Sequence, residues 1–183
     1  MNIIKTNIEG VVIIEPRVFE DERGCFFESF TERDFVAEMG ECHFVQDNEA
    51  KSKYGVVRGL HFQLPPHAQS KLVRVAKGCI LDVAVDIRRS SPTFGKYVAV
   101  ELSSDNHRQI FIPKGFAHGY SVLSDEAVVE YKCDDYYAPE CEGAIAWDDA
   151  ELAIDWQISA DKIILSAKDK CHPSLAECET LFE

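Results

Sequence analysis

Three side chains on strand-like runs are sufficient to invert a carbon beside a ketone. His61 lies in Arg58-Gly59-Leu60-His61-Phe62-Gln63, Lys71 opens Lys71-Leu72-Val73-Arg74-Val75, and Tyr131 closes an apolar run from Ala127. A neutral imidazole can take a proton, an ammonium can hold an oxyanion, and a phenol can return a proton. The carbonyl acidifies the neighbouring C–H, the ammonium stabilises the enolate, and a base and an acid on opposite faces invert the centre. Each residue also has a plain alternative. A strand histidine is often a satisfied core group, a lone lysine a solvated charge, and a strand tyrosine a core side chain with a bonded hydroxyl.

A wall of strands has to hold these groups. Strict alternation places Val57, Gly59, His61 and Gln63 on one face of their strand and Arg58, Leu60 and Phe62 on the other. The first face is half polar, and Gly59 leaves room there for something to approach the backbone, the kind of gap a barrel wall beside a ligand needs. Ile3–Ile8 and Val11–Glu15 read as strands meeting near Gly10, followed by a turn at Asp21-Glu22-Arg23-Gly24 and a strand from Cys25 to Phe30. Thr31 reads as the N-cap of a helix that Gly40 stops. The pattern is then β to about Trp147: Phe44–Asn48, Val56–Phe62, Lys71–Ala76, Cys79–Asp86, Tyr97–Leu102, Gln109–Ile112, Ala117–Leu123 and Ala127–Cys133. Many short strands at this spacing predict a sandwich or barrel. From Trp147 onward the chain reads as loop and short helix.

The 183 residues fit one domain, residues 1–183, with a sizeable core. No linker, repeat or low-complexity stretch divides them. No apolar run is long enough to cross a bilayer, and Met1-Asn2-Ile3-Ile4-Lys5 has no signal-peptide character. Seven cysteines without a Cys-x-x-Cys pair point to free thiols in the cytoplasm. The net charge of −13 argues against nucleic acid or an anionic membrane as partner. Beyond Cys133 thirteen acidic residues face three lysines, so any anion site must draw on the basic residues of the middle of the chain.

Pro113-Lys114-Gly115-Phe116-Ala117-His118 resembles the second motif of the cupins, on a jelly-roll strand facing the barrel interior. Metal-binding cupins supply a His-x-His from their first motif; here His61 is followed by Phe62 and Gln63, and His67 lies beyond Pro65-Pro66. A metal site from His61, His118 and a carboxylate stays open as an alternative. A wider set of motifs resembles the dTDP-4-dehydrorhamnose 3,5-epimerase family. It comprises Arg58 to Gln63, Lys71 to Val75, Gly78 with Asp82 to Arg88, Ile112 to Gly119, Tyr131-Lys132-Cys133 and Trp147-Asp148-Asp149, between Asp21-Glu22-Arg23-Gly24 and Leu165-Ser166-Ala167-Lys168-Asp169.

The resemblance implies an all-β, cupin-type jelly-roll barrel with a few short peripheral helices. It implies a homodimer acting on a dTDP-sugar, without cofactor or metal, and inversion of C3 and C5 of dTDP-4-dehydro-6-deoxy-D-glucose in dTDP-L-rhamnose biosynthesis. His61 is then the base, Asp169 its partner, Lys71 the group facing the C4 oxygen and Tyr131 the opposite-face acid. Arg23, Glu28, Gln46, Asp47, Asn48, Arg58, His118, Glu142 and Lys168 match positions that contact the nucleotide-sugar, and Tyr137 adds stacking for the base. In this family the N-terminal strands pair with the partner's sheet, so Arg23 and Glu28 serve the neighbouring subunit's site. The chain departs from the family at Phe62, where many relatives carry tyrosine, and at Gly143-Ala144, where they commonly carry Arg-Gly. Three alternatives remain: a related epimerase acting at one centre, a metal-dependent cupin enzyme, and a non-catalytic sugar-binding module.

Overall fold

The computed structural model describes all residues, 1–183. The chain builds two facing antiparallel sheets from strands β1 (Asn2–Lys5), β2 (Val12–Glu15), β3 (Val18–Asp21), β4 (Gly24–Phe27), β5 (Gln46–Lys53), β6 (Val57–Gln63), β7 (Lys71–Lys77), β8 (Cys79–Asp86), β9 (Tyr97–Ser103), β10 (Gln109–Ile112), β11 (Phe116–Val122), β12 (Glu126–Cys133) and β13 (Glu142–Ala144). One sheet runs β1-β2-β10-β7-β12-β5 and the other β13-β6-β11-β8-β9, while β3 and β4 form a separate hairpin. The strand pattern predicted a sandwich or barrel, and this is the jelly roll that the family resemblance implied. The single α-helix, α1 (Glu32–Met39), follows Thr31 and ends at Gly40, whose φ of 85° favours glycine. Thr31 occupies the cap position with an extended backbone, but its side chain makes no capping bond.

Alternation divides each strand between an inner and an outer face. Val73, Val75, Ile80, Ala84, Ile110, Phe116, Val122 and Val129 meet between the sheets. The outer face of the five-stranded sheet presents Val57, Leu60, Phe62, Leu81, Val83 and Val85, and the C-terminal tail covers it with Leu152, Trp156, Leu175, Cys178 and Leu181. Helix α1 covers the other sheet with Phe35, packed on Leu72 and Phe111. Each such fully buried side chain contributes about 1.5–3 kcal/mol. Polar pins hold the tail: Leu175 N–H donates to Asp149 Oδ2 at 2.6 Å, and Ser121 Oγ donates to the Trp156 carbonyl at 2.8 Å.

Two strand readings need correction. Something does approach Gly59, but it is protein backbone and leaves no gap for a ligand. The Gly59 φ is +127°, and an added Cβ would lie 2.5 Å from Gly119 Cα, so the backbone that approaches it belongs to β11. Strict alternation along β6 also fails. The register with β11 slips between the His118↔His61 and Tyr120↔Arg58 pairs, which inserts an extra residue. Val57, Leu60 and Phe62 therefore share the outer face, while Arg58 turns inward with His61 and donates from Nε to Ser52 Oγ at 3.2 Å.

Candidate active site

A cavity of about 320 Å³ opens at one end of the barrel, lined by Gln46, Asn48, His61, Lys71, Tyr131 and Glu142 together with Phe62, Gln63, Gln69, Cys133 and Tyr137. Period two explains the lining. Lys71 continues the inner row of Val73 and Val75, Tyr131 continues that of Ala127 and Val129, and Gln46 and Asn48 are alternate residues of β5. The two sheets supply different groups: His61 comes from the five-stranded sheet, Lys71 and Tyr131 from the six-stranded one. Lys71 Nζ lies 5.9 Å from the Tyr131 ring centre.

His61 Nε2 lies 2.7 Å from Asp169 Oδ1. A carboxylate only accepts, so Nε2 carries the imidazole proton and donates, leaving the Nδ1 lone pair free. Asp169 is itself fixed. Its Oδ2 accepts from Ser166 Oγ at 2.7 Å, and its backbone N–H donates to Ser166 Oγ at 3.0 Å. The chain reaches this point because Ile164 bridges beside Val56, with Val57 N–H donating to the Ile164 carbonyl at 3.0 Å. A short 3-10 turn over Asp169–Cys171 then presents the carboxylate.

Electrostatics match a proton-transfer site. Burial pushes the His61 pKa below the ordinary histidine value, and the Asp169 carboxylate only partly opposes this, while Lys71 and His172 lower it further. Burial would raise the Asp169 carboxyl, but the Ser166 hydroxyl and the His61 ring outweigh it, and its pKa is lowered. Burial also lowers the Lys71 pKa, against the negative charges of Asp82 and Glu142. The Tyr131 phenol is pushed up by burial to about 12. A base of lowered pKa stays neutral to lower pH. The acid limb of kcat/KM should therefore fall below the ordinary histidine value of about 6.5. Tyr131 keeps its proton throughout the working range. A pH profile of kcat/KM checks this; an acid limb at or above the ordinary histidine value contradicts it.

The remaining sequence candidates divide by position. Tyr137 Oη donates to Glu142 Oε2 at 3.1 Å, and Lys168 Nζ also bonds that carboxylate, so Glu142, Tyr137 and Lys168 form one rim cluster. His118 sits opposite His61 in register but deeper, 7% exposed, with Nε2 2.8 Å from Asp82 Oδ2. The pair proposed for a metal, His61 and His118, is thus divided between two separate carboxylates. Asp47 falls on the outer face of β5 by alternation, where Lys132 Nζ holds it at 2.8 Å. Arg23 is on the exposed β3–β4 turn, bonded to Asp21, and Glu28 lies just beyond that hairpin; neither reaches the cavity of this chain. Sequence reasoning missed Ser166, Asp82, Gln69 and His172. The Ser166-x-x-Asp169 spacing carried a readable signal, since a hydroxyl three residues from an aspartate is the pattern of a local side-chain–backbone turn.

No helix is long and apolar enough to cross a membrane. All seven cysteines are free thiols. Residues 5–177 match the family model for dTDP-4-dehydrorhamnose 3,5-epimerase. A dTDP-4-dehydrorhamnose 3,5-epimerase from Shigella flexneri is 54% identical over 170 residues, covering 92% of this chain and 93% of the relative. A crystal structure of such an enzyme from Elizabethkingia anophelis superposes with a TM-score of 0.93 at 50% identity, covering 97% of both chains. The dTDP-6-deoxy-D-glucose-3,5-epimerase of Legionella pneumophila, solved in complex with dTDP-4-keto-L-rhamnose, gives 0.92 at 50% identity, covering 96% of this chain and 93% of that one. Half the residues are shared over nearly the whole length, and the chain belongs to the dTDP-4-dehydrorhamnose 3,5-epimerase family.

Proposed function

We propose that the 3,5-epimerisation of dTDP-4-dehydro-6-deoxy-D-glucose, giving dTDP-4-dehydro-L-rhamnose, runs in this cavity with His61 as base, Lys71 as oxyanion donor and Tyr131 as opposite-face acid. The protein is an isomerase of dTDP-L-rhamnose biosynthesis. The observation that carries the residue roles is the 2.7 Å His61–Asp169 bond facing a cavity shared with Lys71 and Tyr131. His61 Nδ1 removes the proton from C3 or C5. Asp169 holds the tautomer and stabilises the imidazolium, as the aspartate of a Ser-His-Asp triad does. C3 and C5 flank one carbonyl, so the enolates formed at either carbon place charge on the same C4 oxygen and one lysine serves both. Asn48, Gln46, Glu142, Lys168 and Arg58 contact the nucleotide-sugar around this centre. His118, on Asp82, backs the wall beneath it, and Tyr137 stacks on the base.

The testing experiment is proton NMR of the 4-keto sugar with the protein in D₂O. Deuterium at both C3 and C5 is expected. Deuterium at one carbon makes the protein a single-centre epimerase, and deuterium at neither removes the assignment. Tyr131→Phe should separate proton removal from inversion. The enolate still forms, but a proton returned from the His61 side regenerates the starting configuration. Epimerised product is expected to fall more than isotope wash-in in one NMR time course; equal loss of both signals means that Tyr131 is not the acid.

We read the chain as one domain working in the cytoplasm, where free thiols persist, and as a homodimer. The β3–β4 hairpin pairs with no other strand and exposes Phe19 and Phe26, the latter at 72%. Docked on a second copy, it would bring Arg23, Glu28 and, from its outward β5 face, Asp47 towards the neighbour's substrate. Light scattering should give twice the chain mass. Mixing an Arg23→Ala chain with a His61→Ala chain should restore part of the activity each lacks. A monomer, or no complementation, overturns the shared site.

A further inference from the structure

We propose that His61, Asp169 and His172 form an inhibitory binding site for a divalent transition-metal cation of the zinc type. One ligand atom from each residue can be chosen so that all three lie within 4.8 Å of one another. His172 Nε2 is 3.4 Å from Asp169 Oδ1. It is misaligned for a hydrogen bond of good geometry there and makes none elsewhere, although its side chain is only 10% exposed. A buried ring nitrogen without a well-aligned partner is costly, and this one lies beside a carboxylate oxygen that already serves a second imidazole. The His61 and His172 rings stand edge to face, 5.6 Å apart at 88°.

Tetrahedral zinc with donors at ~2.0 Å keeps neighbouring donors roughly 3.3 Å apart. The Asp169–His172 separation of 3.4 Å already meets that spacing, the Asp169–His61 separation of 2.7 Å must open by about 0.6 Å, and the two imidazole nitrogens, within 4.8 Å of each other, must draw in by up to about 1.5 Å. Two imidazoles and a carboxylate make a donor set that zinc, cobalt and nickel accept, with the cavity side left for water. Ser166 holds Asp169 Oδ2 and so leaves Oδ1 for the cation. The nearby Lys71 charge opposes binding, and the Glu142 carboxylate favours it.

The inhibition follows from proton placement and rests on His61 being the base; the binding does not. A neutral imidazole carries one proton. With Nε2 donating to Asp169, Nδ1 is free to act. With Nε2 on the cation, the proton moves through solvent to Nδ1, which can no longer accept one. Asp169 remains ionised, and no electron changes hands.

The full chain, freed of metal, is titrated with zinc by calorimetry and with cobalt by visible absorption. Cys171→Ser is included because that exposed thiol adjoins the site. One equivalent should bind at a site that His172→Ala weakens more than about 10-fold, the least that loss of even a supporting partner costs. Cys171→Ser should leave it unchanged, and cobalt should show no thiolate charge-transfer band. His172→Gln, which keeps the side chain's bulk, should weaken binding like His172→Ala, and far-UV circular dichroism checks both folds. Zinc should inhibit epimerisation reversibly, with a chelator restoring full rate, and the inhibitory concentration should rise in both His172 variants, each relative to its own uninhibited rate, but not in Cys171→Ser. Unchanged affinity in both His172 variants, or a thiolate band, overturns the site. Binding at the site without inhibition overturns the inhibitory role. A chain that binds zinc in this way but exchanges no substrate proton refutes the catalytic assignment and leaves the metal site standing.

Discussion

His61→Ala should stop deuterium wash-in at both C3 and C5, lowering the rate by on the order of 10²–10⁴, the usual contribution of a positioned base. The two carbons fall together because one imidazole lines the cavity, and no other histidine lines it. Nucleotide binding should survive, since the side chain is partly exposed and the outward row of Val57, Leu60 and Phe62 holds the strand without it. Asp169→Asn should separate position from charge. The amide can occupy the same space but cannot act as the ionised acceptor, so the Nε2–H tautomer loses its hold and the rate falls. The acid limb should move further down, because the removed carboxylate is what raises the His61 pKa, while burial, Lys71 and His172 continue to lower it. Normal wash-in by His61→Ala, measured by NMR in D₂O, shows that another base acts. An upward shift of the acid limb in Asp169→Asn shows that the pair is not coupled as described.

Lys71→Ala should slow both epimerisations in parallel, by roughly 10²–10³, the cost of removing one preorganised oxyanion donor. The amine is placed by its strand: its register partners are Ile112 on β10 and Cys133 on β12, so it stands in the middle of the sheet. Its lowered pKa makes the proton easier to share with a developing enolate. Isotope exchange at C3 and C5 is read separately in the same NMR spectrum. A variant that loses one exchange and keeps the other shows that the two enolates do not share this lysine.

The sheets were legible where sequence and burial agree. Cys79–Asp86 and Gln109–Ile112 read correctly to the residue because both are apolar runs bounded by turn residues. Strand β5 read as Phe44–Asn48 but runs Gln46–Lys53, since its inner face lines a polar cavity and its outer face is charged, leaving no apolar row to follow. Strand β3 went unread for a similar reason: Val-Phe-Glu-Asp is short and mostly exposed. The inward turn of Arg58 depends on a register slip against β11, a pairing that no local pattern encodes. Within the site, His61, Lys71 and Tyr131 were visible as polar residues on strand-like runs. Asp169 was not, because its partner lies 108 residues away and its own neighbourhood reads as surface; the family resemblance supplied it. His172 carried no signal, since only the folded tail brings it to that carboxylate.

On the proposed roles, with the base on one sheet and the acid on the other, the barrel acts as a stereochemical ruler. The imidazole and the phenol reach the cavity from opposite sheets. Inversion is then a property of the architecture as much as of the residues. A proton taken towards one wall and replaced from the other must change the configuration, whichever carbon is presented. The same base and acid on one strand pair would exchange hydrogen and leave the sugar's handedness as it was. A scaffold of this kind can take either carbon that flanks the carbonyl held by the lysine, with no new catalytic group required.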